Sequence, residues 1–367
     1  MKLIMNRRRF VAAASTALAV GALPNFAKTA SAQSNEVRVT VHGGDVAKAT
    51  IEAIVKPFEA ETGIKVTPIT QDFESAQLEL MVKSNNVTVD VVALGGASAI
   101  AFSQKGLLEP IDYSIYKNDE LDGILKDARQ EFGVGQFAYG YVMVWNTNKF
   151  PADKPRPTDW AGFWDVDRFP ATRLLVAGQW GEEGAWEEAL MADGVPLDKI
   201  YPIDIDRVFA KLDKIKPHVR KWWASGSEVQ QMMRSGVGDV MQSYDGRAQL
   251  LIDQGAPLEI NRNQGKVAWD YWAIPEGSPN VGNAQKFIEF AMRAERQAAF
   301  SQLISFGPTN LNAFKTIPEQ TAVKLASNPK YLENSLRINK AWYAEIGSDG
   351  KTNTSRLQER WNDWILQ

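Results

Sequence analysis

The chain has 367 residues, 44% of them apolar, with 41 basic and 44 acidic side chains and a formal net charge of −3. This length exceeds what one ordinary hydrophobic core accommodates, so we expect two domains. The absence of cysteine excludes disulfides, thiol nucleophiles, cysteine-ligated metal centres and a lipidated N-terminal cysteine. Only His42 and His218 are available to a histidine-dependent triad or metal site, and the motifs of P-loop, zinc-protease and serine-hydrolase sites are missing.

Residues 1–32 have the three features of a twin-arginine signal peptide. A basic segment at Arg7–Arg9 precedes an apolar stretch from Val11 to Leu23, and Ala30–Ala32 provides a cleavage site of small residues. Cleavage removes five of the 41 basic residues and no acidic one, which leaves 36 basic and 44 acidic residues and a net charge of −8. An acidic mature chain disfavours nucleic-acid binding. We therefore expect export to the periplasm of a Gram-negative cell.

The first part of the mature chain alternates between strands and helices. Alternating or continuous apolar residues predict strands at 37–41, 64–66 and 89–94. Helical spacing of apolar residues predicts helices through 51–58 and over 75–83. This β-α-β-α-β order is typical of a parallel sheet covered by helices.

The second part continues with longer apolar segments. Strands are predicted at 139–146, 173–177, 239–243 and 267–275. Helices are predicted at 183–192, 206–215, 227–235 and 283–304, and Asp206 is expected to cap the second of these. The glycine pattern of Gly133–Ala138 imitates a dinucleotide-binding turn, but a strand rather than a helix follows it, so we expect no nucleotide there.

Carboxylates recur beside aromatic rings. The segment Val267–Pro275 places Asp270 between Trp269 and Tyr271 inside a predicted strand, where a carboxylate is costly to bury unless it is paired. The same combination occurs at Trp180 with Glu182 and Glu183, and at Tyr244 with Asp245. Acids and ring faces together suit an organic ammonium group. The alternative is pairing within the protein, for example of Asp245 with Arg247.

Several segments resemble the extracellular solute-binding proteins of ABC importers. Phe58–Val66 resembles the helix-to-strand signature of that family, and Ser235–Met241 resembles a later turn into a strand. Asp270 with Ala273–Pro275 is similar to the D-x-x-A-I-P segment of the spermidine/putrescine-binding branch. Phe306–Asn310 resembles the G-x-P-T segment of that branch less closely. The resemblance covers nearly the whole mature chain.

The resemblance implies a two-lobed α/β fold of the type II periplasmic binding proteins, with mostly parallel sheets and the ligand in the cleft between lobes. It implies chain crossovers near 142–145 and 269–271. The expected boundaries are 33–143 plus 271–310 for the first lobe and 144–270 plus 311–367 for the second.

The resemblance also implies which residues hold the ligand. Asp270 corresponds to an amine-binding aspartate, and Tyr244 to an aromatic residue of the cleft. The remaining expected ligand-binding residues are Gly44, Asp45, Gly96, Trp180, Glu182, Asp245, Trp269 and Trp342. The family's cleft tryptophan is replaced by Ala268, and glycines replace other rings at Gly43–Asp45 and Gly95–Ser98. Fewer rings imply a less complete polyamine slot.

The expected function is binding of a polyamine or related small organic amine and its delivery to an ABC permease in the inner membrane, by a monomer without a cofactor, a metal or enzymatic activity. One alternative ligand is a zwitterion such as a γ-amino acid, whose carboxylate would use a helix start, Arg173 or Arg247. A second is ferric ion, for which Tyr139 and Tyr141 are the only indication. An alternative of another class is a secreted hydrolase using two carboxylates.

Overall fold

The computed structural model describes residues 35–70 and 75–367. The signal peptide predicted at 1–32 lies outside the described residues. The strands in the described part are β1 Glu36–Thr40, β2 Lys65–Ile69, β3 Val92–Leu94, β4 Leu108–Glu109, β5 Arg129–Gln130, β6 Gly133–Asn146, β7 Arg173–Val176, β8 Val219–Trp223, β9 Val240–Tyr244, β10 Leu258–Pro275, β11 Gly307–Pro308 and β12 Leu336–Arg337.

The helices alternate with these strands. They are α1 Asp45–Thr50, α2 Lys56–Thr62, α3 Ser75–Lys83, α4 Gly96–Gln104, α5 Asn118–Gly123, α6 Trp160–Trp164, α7 Trp186–Ala192, α8 Ile205–Ile215, α9 Gly226–Arg234, α10 Asp245–Asp253, α11 Val281–Ala291, α12 Ala294–Leu303, α13 Glu319–Ala322, α14 Pro329–Leu332, α15 Lys340–Ala344 and α16 Asn353–Ile365. A π-helical segment, Ile51–Val55, joins α1 to α2. No helix of the described chain is both long and apolar enough to cross a bilayer.

Two long antiparallel strands form the centre of a mixed sheet. β6 and β10 pair with each other, and the order across this sheet is β12-β10-β6-β9-β7-β8. β7 runs parallel to β8 and β9, whereas β6 is antiparallel to β9. β1 and β2 form a separate parallel pair. The apolar residues of β6 and β10 are buried because helices cover the sheet, which explains their continuous rather than alternating hydrophobicity.

The predicted strands are present, and the first three are parallel as predicted: β1 pairs with β2, and Val39 bridges Val91, just before β3. β3 also pairs with β10, and this pairing is antiparallel. β10 is therefore the element that joins this region to the long sheet.

Three helix predictions need correction. The helix expected at 183–192 begins only at Trp186, because the preceding residues form a turn with Glu183 in the left-handed region. The helix expected at 283–304 is broken at Arg293, whose backbone is extended. Asp204, not Asp206, caps α8, accepting a hydrogen bond from the Arg207 amide at 3.0 Å.

The lobe boundaries remain a prediction. Asn35–Gln367 is one compact unit. The predicted boundaries at 143/144 and 270/271 fall inside β6 and β10, so both long strands would have to pass between the lobes.

Candidate functional site

Two adjoining cavities share three polar residues. Their volumes are about 390 and 420 Å³, and Glu183, Tyr244 and Asp270 line both of them. The first cavity is also lined by Trp180, Glu182, Tyr141 and Trp223, and the second by His42, Tyr139 and Arg247. Volumes of this size are ordinary for small-ligand sites.

Asp270 reaches the cavities from an irregular point of β10. The pairing of β10 with β6 shifts register between Trp269 and Tyr271, and a shift of this kind re-aims the side chain at that position. The Asp270 Oδ1 atom accepts a hydrogen bond from the Tyr139 hydroxyl at 3.2 Å, and Oδ2 lies 3.6 Å from His42 Nε2. The carboxylate is 22% exposed, and it meets open cavity as well as protein.

A tight turn before α7, residues 181–184, carries two further acids. Gly181 and Glu183 have φ angles of 71° and 64°, and the second is a left-handed conformation that is uncommon for a residue with a side chain. The Ala97 amide, in the first turn of α4, donates to Glu182 at 3.2 Å, where the helix dipole also favours a negative charge. The Glu183 carboxylate accepts hydrogen bonds from the hydroxyls of Tyr139, at 2.9 Å, and Tyr141.

The electrostatics of the three acids favour a positive ligand. Burial, and then the charge of Glu183, raise the pKa of Glu182 to about 8. Burial and the charge of Asp270 likewise raise the pKa of Glu183. Burial also raises the pKa of Tyr139 and Tyr141 well above the usual value, so both hydroxyls stay protonated and act as donors. An ammonium ion placed among these carboxylates relieves their repulsion.

A buried ionic network supports the turn from behind. Lys266 Nζ donates to the Gly184 carbonyl at 2.8 Å and lies 2.9 and 3.0 Å from the carboxylates of Glu187 and Glu188. All three charged side chains of this network are fully buried. The Tyr343 hydroxyl donates to Glu187 at 2.7 Å, which links the network to α15. Lys266 therefore fixes the carbonyl that immediately follows the two cavity-lining acids.

Arg247 brings a positive group to the second cavity. It extends from α10, and its Nη1 atom donates to Gln230 Oε1 at 3.0 Å. No carboxylate of the described chain lies within 4.0 Å of it. Arg173, the other arginine considered from sequence, is buried, and its guanidinium donates to the carbonyls of Phe163, Phe169 and Ala171. Of these two arginines, Arg247 alone is available to a ligand in the cavities.

Four of the residues predicted to bind the ligand line the cavities. They are Trp180, Glu182, Tyr244 and Asp270. Trp180 is 62% exposed, at the edge of the first cavity.

The other predicted residues lie outside the cavity walls. Asp245 is fully buried and is bound by the Gly140 amide and Arg262 Nη1, each at 2.8 Å, so its partner is Arg262 rather than Arg247. Asp45 pairs with Lys48, and Gly44 adjoins the cavity-lining Gly43. Gly96 packs against the Lys340 stem, and Trp269 is buried beneath the Lys340 ammonium. Trp342 packs against Tyr201.

Sequence reasoning undervalued two tyrosines and missed one lysine. Tyr139 and Tyr141 are two residues apart in β6 and therefore share a face, a signal that identifies them as a pair. A ferric-ion site would need phenolate ligands, whereas both tyrosine hydroxyls donate hydrogen bonds to Glu183. The described residues contain no cluster of three or more histidine or acidic side chains able to hold a metal. Lys340 has no local signal, because its carbonyl partner, Trp269, is distant in sequence.

Comparison with known proteins agrees with this architecture. Residues 53–330 match the family model described as bacterial extracellular solute-binding protein. The γ-aminobutyric acid-binding protein of Pseudomonas aeruginosa is 30% identical over 93% of this chain and 94% of its own. The spermidine/putrescine-binding periplasmic protein of Escherichia coli is 22% identical over 90% and 93%.

A solved structure extends the agreement to three dimensions. An ABC transporter substrate-binding protein from Bradyrhizobium japonicum superposes with a TM-score of 0.82 at 30% identity, covering 90% of this chain and 99% of that one. This confirms the fold of the periplasmic binding proteins. The chain belongs to the bacterial extracellular solute-binding protein family and is a substrate-binding component of an ABC transporter.

Proposed function

We propose that this protein binds a small organic amine in the periplasm and delivers it to an inner-membrane permease, without catalysing a reaction. The observation that carries the proposal is the convergence of three carboxylates on the adjoining cavities: Glu183 and Asp270 line both of them, and Glu182 lines the first. Charge-assisted hydrogen bonds to an ammonium contribute about 1.5–3 kcal/mol each. The twin-arginine signal and the monomeric state belong to the same proposal.

Arg247 favours an amine that also carries a carboxylate. It lines the second cavity together with Asp270 and Glu183, which gives that cavity one positive and two negative groups. A guanidinium binds a carboxylate through two parallel hydrogen bonds. A ligand with a second ammonium in place of the carboxylate could not form them. An ω-amino acid is therefore the first ligand class to test, and a polyamine is the second. Among the relatives, one is named for binding γ-aminobutyric acid and one for binding spermidine and putrescine.

The test is calorimetric titration of the mature protein with γ-aminobutyrate, putrescine and spermidine, with glucose and ferric citrate as controls. A thermal-shift screen comes first, since a ligand at 100 times its dissociation constant adds about 2.7 kcal/mol of stability. The midpoint of thermal unfolding changes by on the order of 2 °C per kcal/mol, so it should rise by several degrees. Shifts with amines alone support the proposal, and a shift with glucose or ferric citrate but no amine refutes it.

A further inference from the structure

A buried lysine lies against the acidic cluster without forming an ion pair. Lys340, the first residue of α15, is 7% exposed, and its Nζ atom donates to the Trp269 carbonyl, one residue before Asp270. The ammonium lies 5.2 Å from the centroid of the Trp269 ring and 4.9 Å from that of Tyr271. No carboxylate of the described chain comes within 4.0 Å of it. The lysine is thus held by a carbonyl and ring faces, and its charge acts on the cluster at longer range.

The charge of Lys340 interacts electrostatically with the carboxylates of all three acids of the site. Burial lowers the pKa of the Lys340 ammonium, and the carboxylates of Glu182, Asp270 and Glu183 act in the opposite direction, in that order. The same lysine lowers the pKa of Glu182 and Glu183, against the effect of their burial. Its ammonium is therefore an internal counterion of the cluster.

The sequence makes room for this lysine. A Cβ atom added to Gly96 would lie 1.7 Å from Lys340 Cδ, so any larger residue there would displace the stem. Gly96 precedes Ala97, whose amide holds Glu182. The glycine at this turn thus allows the Lys340 stem to pass beside the amide that holds Glu182.

The formal charges of the site are then three negative and one positive. Arg247, which lines the second cavity, adds another positive charge, so the site carries a formal net charge of −1 when all three carboxylates are ionised. One ammonium neutralises that charge, and a second would be an unpaired cation in a partly buried site, which is strongly unfavourable. The Arg247 guanidinium, in the wall of the second cavity, also repels a second cation.

We propose that Lys340 is a specificity-determining residue: its ammonium takes one cationic position beside Glu182, Glu183 and Asp270, and so restricts the site to ligands with a single ammonium group. This inference rests on the proposed function, since it presumes an amine ligand. It identifies the substrate class as monoamines, ω-amino acids above all, rather than diamines or polyamines.

Three ligands with four-carbon chains separate charge from size. Butylamine has one ammonium, γ-aminobutyrate adds a carboxylate, and putrescine adds a second ammonium. Titration calorimetry with the wild-type protein should give putrescine no tighter binding than butylamine. Putrescine binding tenfold tighter than both of the others would overturn the inference without any variant being needed. Binding of none of the three, in contrast, would remove the proposed function itself.

The variant Lys340→Met keeps the length of the stem against Gly96 and removes the charge. We expect the ratio of putrescine affinity to butylamine affinity to rise at least tenfold, and Lys340→Arg to retain the wild-type ratio. Lys216→Met is the matched control, because Lys216 Nζ also donates to a carbonyl, that of Trp364 at 2.6 Å, and lies 4.2 Å from the centroid of the Trp364 ring. That carbonyl belongs to α16 and not to the strand that carries Asp270. If Lys340→Met binds amines with an unchanged ratio, the inference is wrong although the proposed function stands. Should that variant not fold, the wild-type comparison still decides.

Discussion

Replacing Asp270 with asparagine removes one negative charge from both cavities while it preserves the shape of the side chain. The amide oxygen can still accept the Tyr139 hydrogen bond, which is 3.2 Å long in the free protein. A ligand ammonium loses a charge-assisted hydrogen bond, worth about 1.5–3 kcal/mol. At about 1.4 kcal/mol per factor of ten, the dissociation constant for γ-aminobutyrate should rise about 10- to 150-fold.

The stability of the free protein should respond in the opposite way. The Asp270 charge contributes to the raised pKa of Glu182 and Glu183, so the acids repel one another in the empty site. Removing one of the charges relieves that repulsion. We therefore expect Asp270→Asn to unfold at the wild-type temperature or above it when no ligand is present, measured by differential scanning calorimetry.

Asp245→Asn is the contrasting control. Asp245 is fully buried, pairs with Arg262 at 2.8 Å and contacts neither cavity. Removing one partner of a buried pair costs about 3–5 kcal/mol, so this variant should lose stability while the folded fraction keeps its ligand affinity. The assignment of the two aspartates fails if Asp270→Asn binds within threefold of wild type, or if Asp245→Asn loses affinity at unchanged stability.

Three further substitutions or conditions test other parts of the site. Arg247→Gln should weaken γ-aminobutyrate binding about 10- to 150-fold, by the loss of one charge-assisted contact of about 1.5–3 kcal/mol, and leave butylamine unchanged in the same titration. A cationic ligand favours ionised carboxylates, so its binding must expel the proton that Glu182 holds below its pKa of about 8. The ligand affinity should therefore rise with pH by up to about tenfold per unit until pH 8 and then level off. Calorimetry in buffers of different ionisation enthalpy should detect the released proton. A pH-independent affinity between 6 and 8 would contradict a protonated Glu182. Lys266→Met leaves Glu187 and Glu188 buried without their cation, and urea denaturation should show a loss of about 3–5 kcal/mol; a loss below about 1 kcal/mol would mean that the network does not hold the turn.

The strands and the position of Asp270 could be predicted because their signals are local. A carboxylate inside the aromatic segment 267–275 conflicts with burial, and that conflict pointed to the cavity that Asp270 lines. The pairing of Tyr139 with Tyr141 on one strand face follows from a period of two residues. The register shift that aims Asp270 depends on β6 as well as β10, so the segment alone does not reveal it.

The contacts that define the rest of the site join distant segments. Asp245 was predicted to bind the ligand, with pairing to Arg247 as the alternative. The guanidinium that reaches its buried carboxylate is instead that of Arg262, on β10. The late start of α7 reflects tertiary contacts as well, since the turn before it is fixed by Lys266 and by the hydroxyls of β6. Helix propensity carries no information about such partners.

The backbone and the charges of the site favour a bound cation. Glu183 keeps a left-handed backbone conformation, and three carboxylates line the first cavity although burial and mutual repulsion raise the pKa of two of them. The free protein tolerates this arrangement because the tyrosine hydroxyls and Lys340 partly satisfy it. Part of the ligand's affinity then comes from repulsion that already exists before binding. The same reasoning explains why a second internal cation would weaken ligand binding. It would neutralise the carboxylates within the protein, so a ligand ammonium would relieve no repulsion between them.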